Sequence, residues 1–236
     1  ISLVMPNYNG IDCLRECLPS IFAAEGFTPL ERKLDPKDKS SFLTGFTDGQ
    51  NEVLVVDDGS TDGSVDFITR NFPQVRLIQN KRNNGFGFTC NRGIKAAKNE
   101  IIVLINNDII LTKDFLKPLI SHLQKEDVFV ATPKLYAWDR KTFAWGMHMG
   151  RFEEGYIKLW NEAETGNGDR ITQTSPSIFA IGGAMVFKRS DFLWLGGFDS
   201  IYRPNCWEDI DLSYRAWKRG LKVLYEPKGL MYHKGR

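Results

Sequence analysis

Five apolar residues without a break, Ile101-Ile102-Val103-Leu104-Ile105, run directly into Asn106-Asn107-Asp108. A short continuous apolar run suits a strand buried on both faces, as in a parallel sheet covered by helices. Ligands in such sheets bind at the carboxyl ends of the strands. The polar tip therefore sits where chemistry is expected. Two amides and one carboxylate offer oxygen ligands to a hard divalent cation, which completes its shell with substrate phosphates. A polar turn that simply closes the strand is the plainer alternative.

The same pattern recurs upstream. Residues 1–5 read as a strand followed by Pro6-Asn7-Tyr8-Asn9-Gly10, and residues 52–56 as a second, ending in Asp57-Asp58-Gly59. Residues 75–79 form a third. Leu14, Leu18, Ile21 and Phe22 recur at helical spacing within residues 11–24, where Pro19 is set to kink the helix. Asp62 is the expected N-cap of a helix running through Phe72. Asn83-Asn84-Gly85-Phe86-Gly87-Phe88 precedes another helix, whose N-terminus favours anions. That turn lacks the Walker Lys-Ser/Thr and the full dinucleotide fingerprint. An amphipathic helix is expected over residues 113–125. Alternation of strand and helix predicts an α/β, doubly wound, mainly parallel (mixed) sheet flanked by helices.

The length of 236 residues, 42% of them hydrophobic, suffices for one sizeable core. A net charge of +2 is too small to argue for nucleic acid or a membrane surface. No apolar run approaches the roughly 20 residues that span a bilayer. The abrupt ends suggest a fragment of a longer chain, and any membrane association is expected through the missing flanks. Cys13, Cys17, Cys90 and Cys206 show no paired zinc spacing and read as reduced thiols of a cytosolic domain.

Residues 25–51 are rich in charge, Gly, Pro and Ser and read as a long surface loop. A strand is expected at 128–136. Residues 137–175, with Trp138, Trp145, Trp160 and Gly166-Asn167-Gly168, suggest short antiparallel strands and a mobile loop. Aromatic faces there suit a sugar-like acceptor, or pack as core. Residues 177–188 read as a strand, and Glu208-Asp209-Ile210-Asp211 as the first turn of a helix. Carboxylates in that position have a structural explanation in the macrodipole. A strand at 222–225 and a short apolar run lead to His233.

Taken together, Pro6-Asn7-Tyr8-Asn9, Val55-Val56-Asp57-Asp58-Gly59-Ser60, Asn84-Gly85-Phe86, Asn106-Asn107-Asp108, Gly196-Gly197-Phe198-Asp199 and Glu208-Asp209-Ile210-Asp211-Leu212 resemble family 2 glycosyltransferases of the GT-A fold. The likeness is to the bacterial rhamnosyltransferase-like branch in particular, and it spans nearly the whole chain. It implies a nucleotide-sugar-binding half, 1–110, and an acceptor-binding, catalytic half, 111–236. Tyr8 would pack on the nucleobase, with Pro6 holding the loop, and Asp58 would bond the base imide. Asn84 and Gly85 would lie beside the nucleoside. Asn106-Asn107-Asp108 occupies the place of the family's Asp-x-Asp motif, so Asp108 would ligate Mg²⁺ or Mn²⁺ bridging the donor phosphates. His233 would approach the metal or the diphosphate. Asp209 would be the general base, and Glu208 would contact the acceptor or orient the loop.

The resemblance implies inverting transfer from a UDP- or dTDP-linked sugar to a hydroxyl of a glycan or lipid-linked saccharide, in the cytoplasm or at the inner membrane face. A hydroxyl is a weak nucleophile until a base takes its proton, and a single placed carboxylate suits one displacement with inversion, by analogy with inverting glycosidases. Asn106 departs from the family's first Asp and removes one charge near the metal. It keeps open a catalytically silent, sugar-nucleotide-binding regulatory module. A nucleotidyltransferase would need a Gly-rich, basic signature after the first strand, which Pro6–Gly10 does not supply.

Overall fold

The structure is a computed structural model that describes residues 1–24, 27, 51–161, 166 and 170–235. Nearly all of the expected surface loop at 25–51, and Asn167-Gly168 of the expected mobile loop, lie outside the described residues.

Strands β1 (Ser2–Asn7), β2 (Glu52–Asp57), β3 (Arg76–Gln79) and β4 (Ile101–Ile105) form a parallel half-sheet in the order β4-β1-β2-β3. The remaining strands are β5 (Ile109–Leu111), β6 (Val128–Ala137), β7 (Phe143–Trp145), β8 (His148–Glu153), β9 (Tyr156–Asn161), β10 (Ser175–Pro176), β11 (Ala184–Lys188) and β12 (Lys222–His233). β11 joins β4 antiparallel, and β6, β12 and β10 continue the sheet outward. β5 pairs antiparallel with β12, while β8 and β9 form a separate hairpin. The sheet is thus mixed, with its parallel part where the sequence alternates strand and helix.

Alternation along the strands sends side chains to two cores. Leu3, Met5, Val103 and Ile105 face one side, where α1 (Ile11–Ala23), α2 (Ser64–Asn71) and α4 (Leu116–His122) bring Leu14, Leu18, Ile68 and Leu119. Val4, Ile102 and Leu104 face the other. There α3 (Phe86–Ala96), α5 (Arg189–Trp194) and α6 (Glu208–Trp217) bring Ile94, Phe192 and Leu212. Each fully buried Leu, Ile or Phe removes about 1.5–3 kcal/mol of apolar hydration cost, and a two-sided core is why the central strands read as unbroken apolar runs. Gly93 lets α3 lie close to the sheet, since a Cβ there would meet Val4 and Val56 side chains at 2.5 and 2.8 Å.

Four expected elements differ, the first being the strand expected at 222–225, which runs on as Lys222–His233. The helix expected over 113–125 begins at Leu116, which leaves Pro118 in its first turn, where a missing N–H costs nothing. The strand expected over 177–188 is confined to Ala184–Lys188, because Ile181-Gly182-Gly183 form a turn closed by the Ala184 N–H to Ile181 carbonyl bond. The helix after Asp62 is capped by Gly63 in the left-handed region, not by Asp62. Asp62 instead accepts from the Ser64 N–H and hydroxyl through Oδ1 and from the Ile11 N–H through Oδ2, tying the starts of α1 and α2 together. Burial pushes its carboxyl up, but these hydrogen bonds outweigh that and leave the pKa lowered. All four cysteines are free, and burial drives the Cys17 thiol up to about 12.

Candidate functional site

The carboxyl ends of β1, β2 and β4 open on a cavity of about 430 Å³. Its walls include Pro6, Tyr8, Asp58, Gly85, Asn106, Asn107 and Asp108, with Pro204 and Asn205 arriving from the second half of the chain. Tyr8 is 45% exposed, so its ring is offered to the cavity and not spent in the core.

Asp58 is buried, and its carboxylate is engaged by the chain itself. Oδ2 accepts the backbone N–H groups of Asn84 and Gly85, each at 2.9 Å, and Oδ1 accepts Asn80 Nδ2 at 2.6 Å. The N-terminus of α3, where an anion is expected, thus already holds the Asp58 anion. The Phe86 N–H is likewise taken by the Pro204 carbonyl. One lone pair on Oδ1 is left for a ligand N–H. Gly85 reaches this geometry with φ +89, and a Cβ there would meet the Pro204 carbonyl oxygen at 2.5 Å. Asn84 is turned toward Arg82 and Arg203 through its side chain and carbonyl, and Asn83 lines the cavity in its stead.

The three residues of the β4 tip go to different tasks. Asn106 lies against Gly183, whose missing Cβ makes room for the amide, and its backbone N–H donates to the Gly183 carbonyl at 2.8 Å. Asn107 Nδ2 donates to Asn7 Oδ1 at 2.7 Å, which couples the β4 tip to the β1 tip. Asp108 is brought beside His233 by the antiparallel register of β5 with β12, in which Ile109 faces His233. Asp108 Oδ2 lies 3.3 Å from His233 Nε2, and Oδ1 is buried with no hydrogen-bond partner. A dry carboxylate oxygen costs about 1–3 kcal/mol unless something completes its shell.

Among the described residues no group of three or more His, Cys, Asp or Glu is arranged to hold a metal. An oxygen of Asp108, which lines the larger cavity, and an imidazole nitrogen of His233, which lines the smaller, lie 3.3 Å apart and still fit a hard cation that takes its other ligands from phosphate and water. The residues present therefore fit a divalent metal.

Asn106 also lines a second cavity, of about 230 Å³, which contains Asp209, His148, Trp145, Phe179 and His233. Asp209 stands in the first turn of α6 and is held there by the turn before β11. Its Oδ2 accepts the Gly182 N–H at 2.9 Å and its Oδ1 the Ile210 N–H at 2.8 Å. Burial raises its pKa, and these two hydrogen bonds offset the rise only in part. The carboxylate is thereby more basic than an ordinary aspartate. Glu208 is 6% exposed, lines neither cavity, and has one oxygen without a partner. Its pKa is also raised, first by burial and then by the Asp209 charge. Cys206 and Trp207, immediately before this pair, hold left-handed φ values of 87 and 74, a backbone conformation that L side chains rarely adopt. Trp207 is 59% exposed and borders an apolar cavity of about 240 Å³ with Tyr202, Tyr214, Trp217 and Ile178.

Two features escaped the sequence. Pro204 and Asn205 complete the larger cavity, and no motif marks them. His148, in the smaller cavity, is 3% exposed, neither ring nitrogen has a hydrogen-bond partner of good geometry, and burial lowers its pKa to about 4 against the opposing pull of the Gly146 backbone. The only sequence signal for it is a histidine in an aromatic-rich segment, which core packing explains equally well.

The profile of Glycosyl transferase family 2 matches residues 2–194. The chain is 25% identical over 237 residues to N-acetylgalactosaminyltransferase 7 of Drosophila melanogaster, a match covering 94% of this chain and 39% of that protein. It spans about a third to two-fifths of the length of the curated relatives it matches. Among solved structures it superposes on GalNAc-T7 with UDP, GalNAc and Mn²⁺ at a TM-score of 0.72 and 18% identity, covering 100% of this chain and 44% of that one. A second likeness is to the mannosyltransferase PcManGT of Pyrobaculum calidifontis in complex with GDP-Man and Mn²⁺. The TM-score there is 0.64 at 19% identity, covering 98% of this chain and 56% of that one.

Proposed function

The chain belongs to glycosyl transferase family 2 and has the GT-A fold, and from that premise we propose that it transfers a sugar from a nucleoside-diphosphate donor to a hydroxyl of a glycan or lipid-linked acceptor, inverting the anomeric centre. One observation carries the reading: Asn106 is the shared wall between a polar cavity at the strand tips and a smaller cavity holding a carboxylate of raised pKa. A leaving group on one side and a base on the other are what a single displacement requires.

In this reading residues 1–110 hold the nucleotide. Tyr8 stacks on the base, and Asp58, already braced by Asn80, Asn84 and Gly85, accepts the imide N–H of a UDP- or dTDP-linked donor. Asp108 and His233 are the residues that hold a divalent cation. A cation held there supplies Lewis-acid stabilisation of the charge on the departing diphosphate. Residues 111–236 hold the acceptor. Asp209 takes the proton from its hydroxyl, and Trp207, Tyr214 and Trp217 offer faces on which a sugar ring of the acceptor stacks. Buried Glu208 supports the loop that carries Asp209. Placement in the rhamnosyltransferase-like branch rests on the sequence motifs together, whereas the first relatives are named for N-acetylgalactosaminyl transfer.

The test is thermal stability with UDP, dTDP, GDP or CMP, each with and without Mn²⁺, since a ligand that binds only the native state raises apparent stability. A rise with UDP or dTDP that needs Mn²⁺, and that Asp108→Ala removes, is the expected result. No rise with any nucleotide would leave the donor site without support, and a rise without sugar transfer would favour the catalytically silent, sugar-nucleotide-binding module.

A further inference from the structure

The smaller cavity contains groups that the proposed transfer does not use: Trp145, His148 and Phe179. His148 opens β8 and is fixed from both sides. Its backbone N–H donates to Ser177 Oγ at 3.0 Å, and its carbonyl accepts the Ile178 N–H at 2.9 Å. Its ring stacks on Phe179 with centroids 3.9 Å apart and planes 28° apart, and Trp145 lies beyond at 6.1 Å. The imidazole borders the same cavity as Asp209 and Asn106; the Gly146 backbone lies against one side of the ring without completing a hydrogen bond, so the ring keeps an unsatisfied nitrogen.

A phenylalanine would stack on Phe179 equally well and leave no polar atom dry. Buried polar groups in folded proteins are nearly always hydrogen-bonded, and an exception that borders a cavity is placed for a partner entering that cavity. A neutral imidazole presents one donor and one acceptor, which is the pattern of a sugar hydroxyl. The flanking aromatic faces suit the C–H face of a pyranose. The cavity lies on the Asp209 side of Asn106, where the sugar of a donor seated in the larger cavity would extend.

Resting on the proposed transfer for its ligand, we infer that His148 hydrogen-bonds a hydroxyl of the sugar being transferred and so selects among nucleotide sugars. It is a specificity-determining residue; Asp209 remains the base. A site built to hydrogen-bond a substrate hydroxyl discriminates strongly against analogues that lack it, because its own polar group is then left unpaired.

The experiment measures turnover of UDP-glucose, UDP-galactose and their N-acetyl counterparts, with Mn²⁺, by the chain and by its His148→Phe and His148→Gln variants. Inhibition by UDP and the melting temperature are followed in parallel. For the preferred donor, His148→Phe is expected to lower kcat/KM by about tenfold to a hundredfold while UDP inhibition stays within about twofold. His148→Gln, which restores one donor and one acceptor, recovers part of the loss. On the deoxyfluoro donor lacking the hydroxyl that is read, the wild type and His148→Phe become equal. Retention of the wild-type donor preference by His148→Phe would overturn the inference. So would a loss of UDP binding in step with the rate, which is the signature of a structural role. If the wild type binds UDP but turns over neither these donors nor dTDP-linked sugars, the transfer reading itself fails and the inference falls with it.

Discussion

On the parallel side of Asn106, the carboxylates of Asp57, Asp58 and Asp62 are supplied with donors by their own scaffold. Asp57 receives Asn7 Nδ2 and the Ser60 N–H, each at 2.9 Å, Asp58 receives Asn80, Asn84 and Gly85, and Asp62 receives Ile11 and Ser64. On the mixed side the supply is uneven: Glu226 receives Thr174 and the Lys228 N–H and meets His122, Asp209 receives two backbone N–H groups yet is raised in pKa by burial, and Glu208 has an unpartnered oxygen. Asp108, at the seam, has one oxygen toward His233 and one dry. Saturated carboxylates order the loops that carry them, because charged hydrogen bonds contribute about 1.5–3 kcal/mol each. Unsaturated ones lower stability and keep their lone pairs for a ligand or a proton. Substitution of a fully supplied carboxylate on the first side should therefore read out as lost stability, and substitution of Asp209, whose burial keeps it basic, as lost turnover.

The largest expected effect lies on the mixed side. Asp209→Asn should lower kcat by roughly 10²–10⁴-fold and leave UDP binding near wild type, with a smaller loss of melting temperature because its amide group would face the Gly182 or Ile210 N–H; normal turnover would remove Asp209 as the base. Because the base acts deprotonated and burial raises its pKa, the acid limb of the wild-type rate profile should lie above the ordinary aspartate range. A limb within that range would mean the carboxylate is better solvated than its burial implies.

Asp58→Asn should produce the largest loss of stability, about 3 kcal/mol in urea unfolding, because its amide group would point a donor at donors. Nucleotide binding should fall with it. A variant as stable as wild type would mean the saturated side is not a scaffold, and the contrast would fail.

Asp62→Ala should cost about 1 kcal/mol, as for a lost helix cap, with turnover unchanged. The carboxyl has a lowered folded pKa. Its contribution is therefore present above the unfolded pKa and fades as pH falls through the folded one. The stability gap between wild type and variant should thus narrow in acid, and a gap that widens there would contradict the assignment.

The smallest effect is expected at Glu208→Gln, within about 1 kcal/mol at neutral pH. Here the folded pKa is raised, so the wild-type group favours folding only below its unfolded pKa and loses that advantage as pH rises through the folded value. Glutamine should match or slightly exceed wild type at neutral pH. A loss of several kcal/mol would show that Glu208 has a charged partner.

Much of the sheet could be read from the chain because periodicity is local. An apolar run such as Ile101–Ile105 states its own burial, and alternation of strands with amphipathic helices states the layering. The polar tips at Pro6–Tyr8, Asp57-Asp58 and Asn106–Asp108 fall at strand ends for the same reason, and all of them meet at the larger cavity or its rim. Local pattern does not say which lone pairs a neighbour will fill. Asp58 reads as a free acceptor until the Asn84 and Gly85 amides are seen on it. Asp62 reads as a cap until the left-handed Gly63 displaces it by one residue. His148 reads as one more ring among aromatics, and only the packing of β8 against the turn before β11 brings it beside Asp209. The meeting of Asp108 with His233 depends on one antiparallel register between β5 and β12. Composition and spacing thus determined the layers and the polar edge of the sheet. Strand order and register, which are free energies of the whole packed molecule, decided which of those polar groups share a cavity and which of them remain unsatisfied.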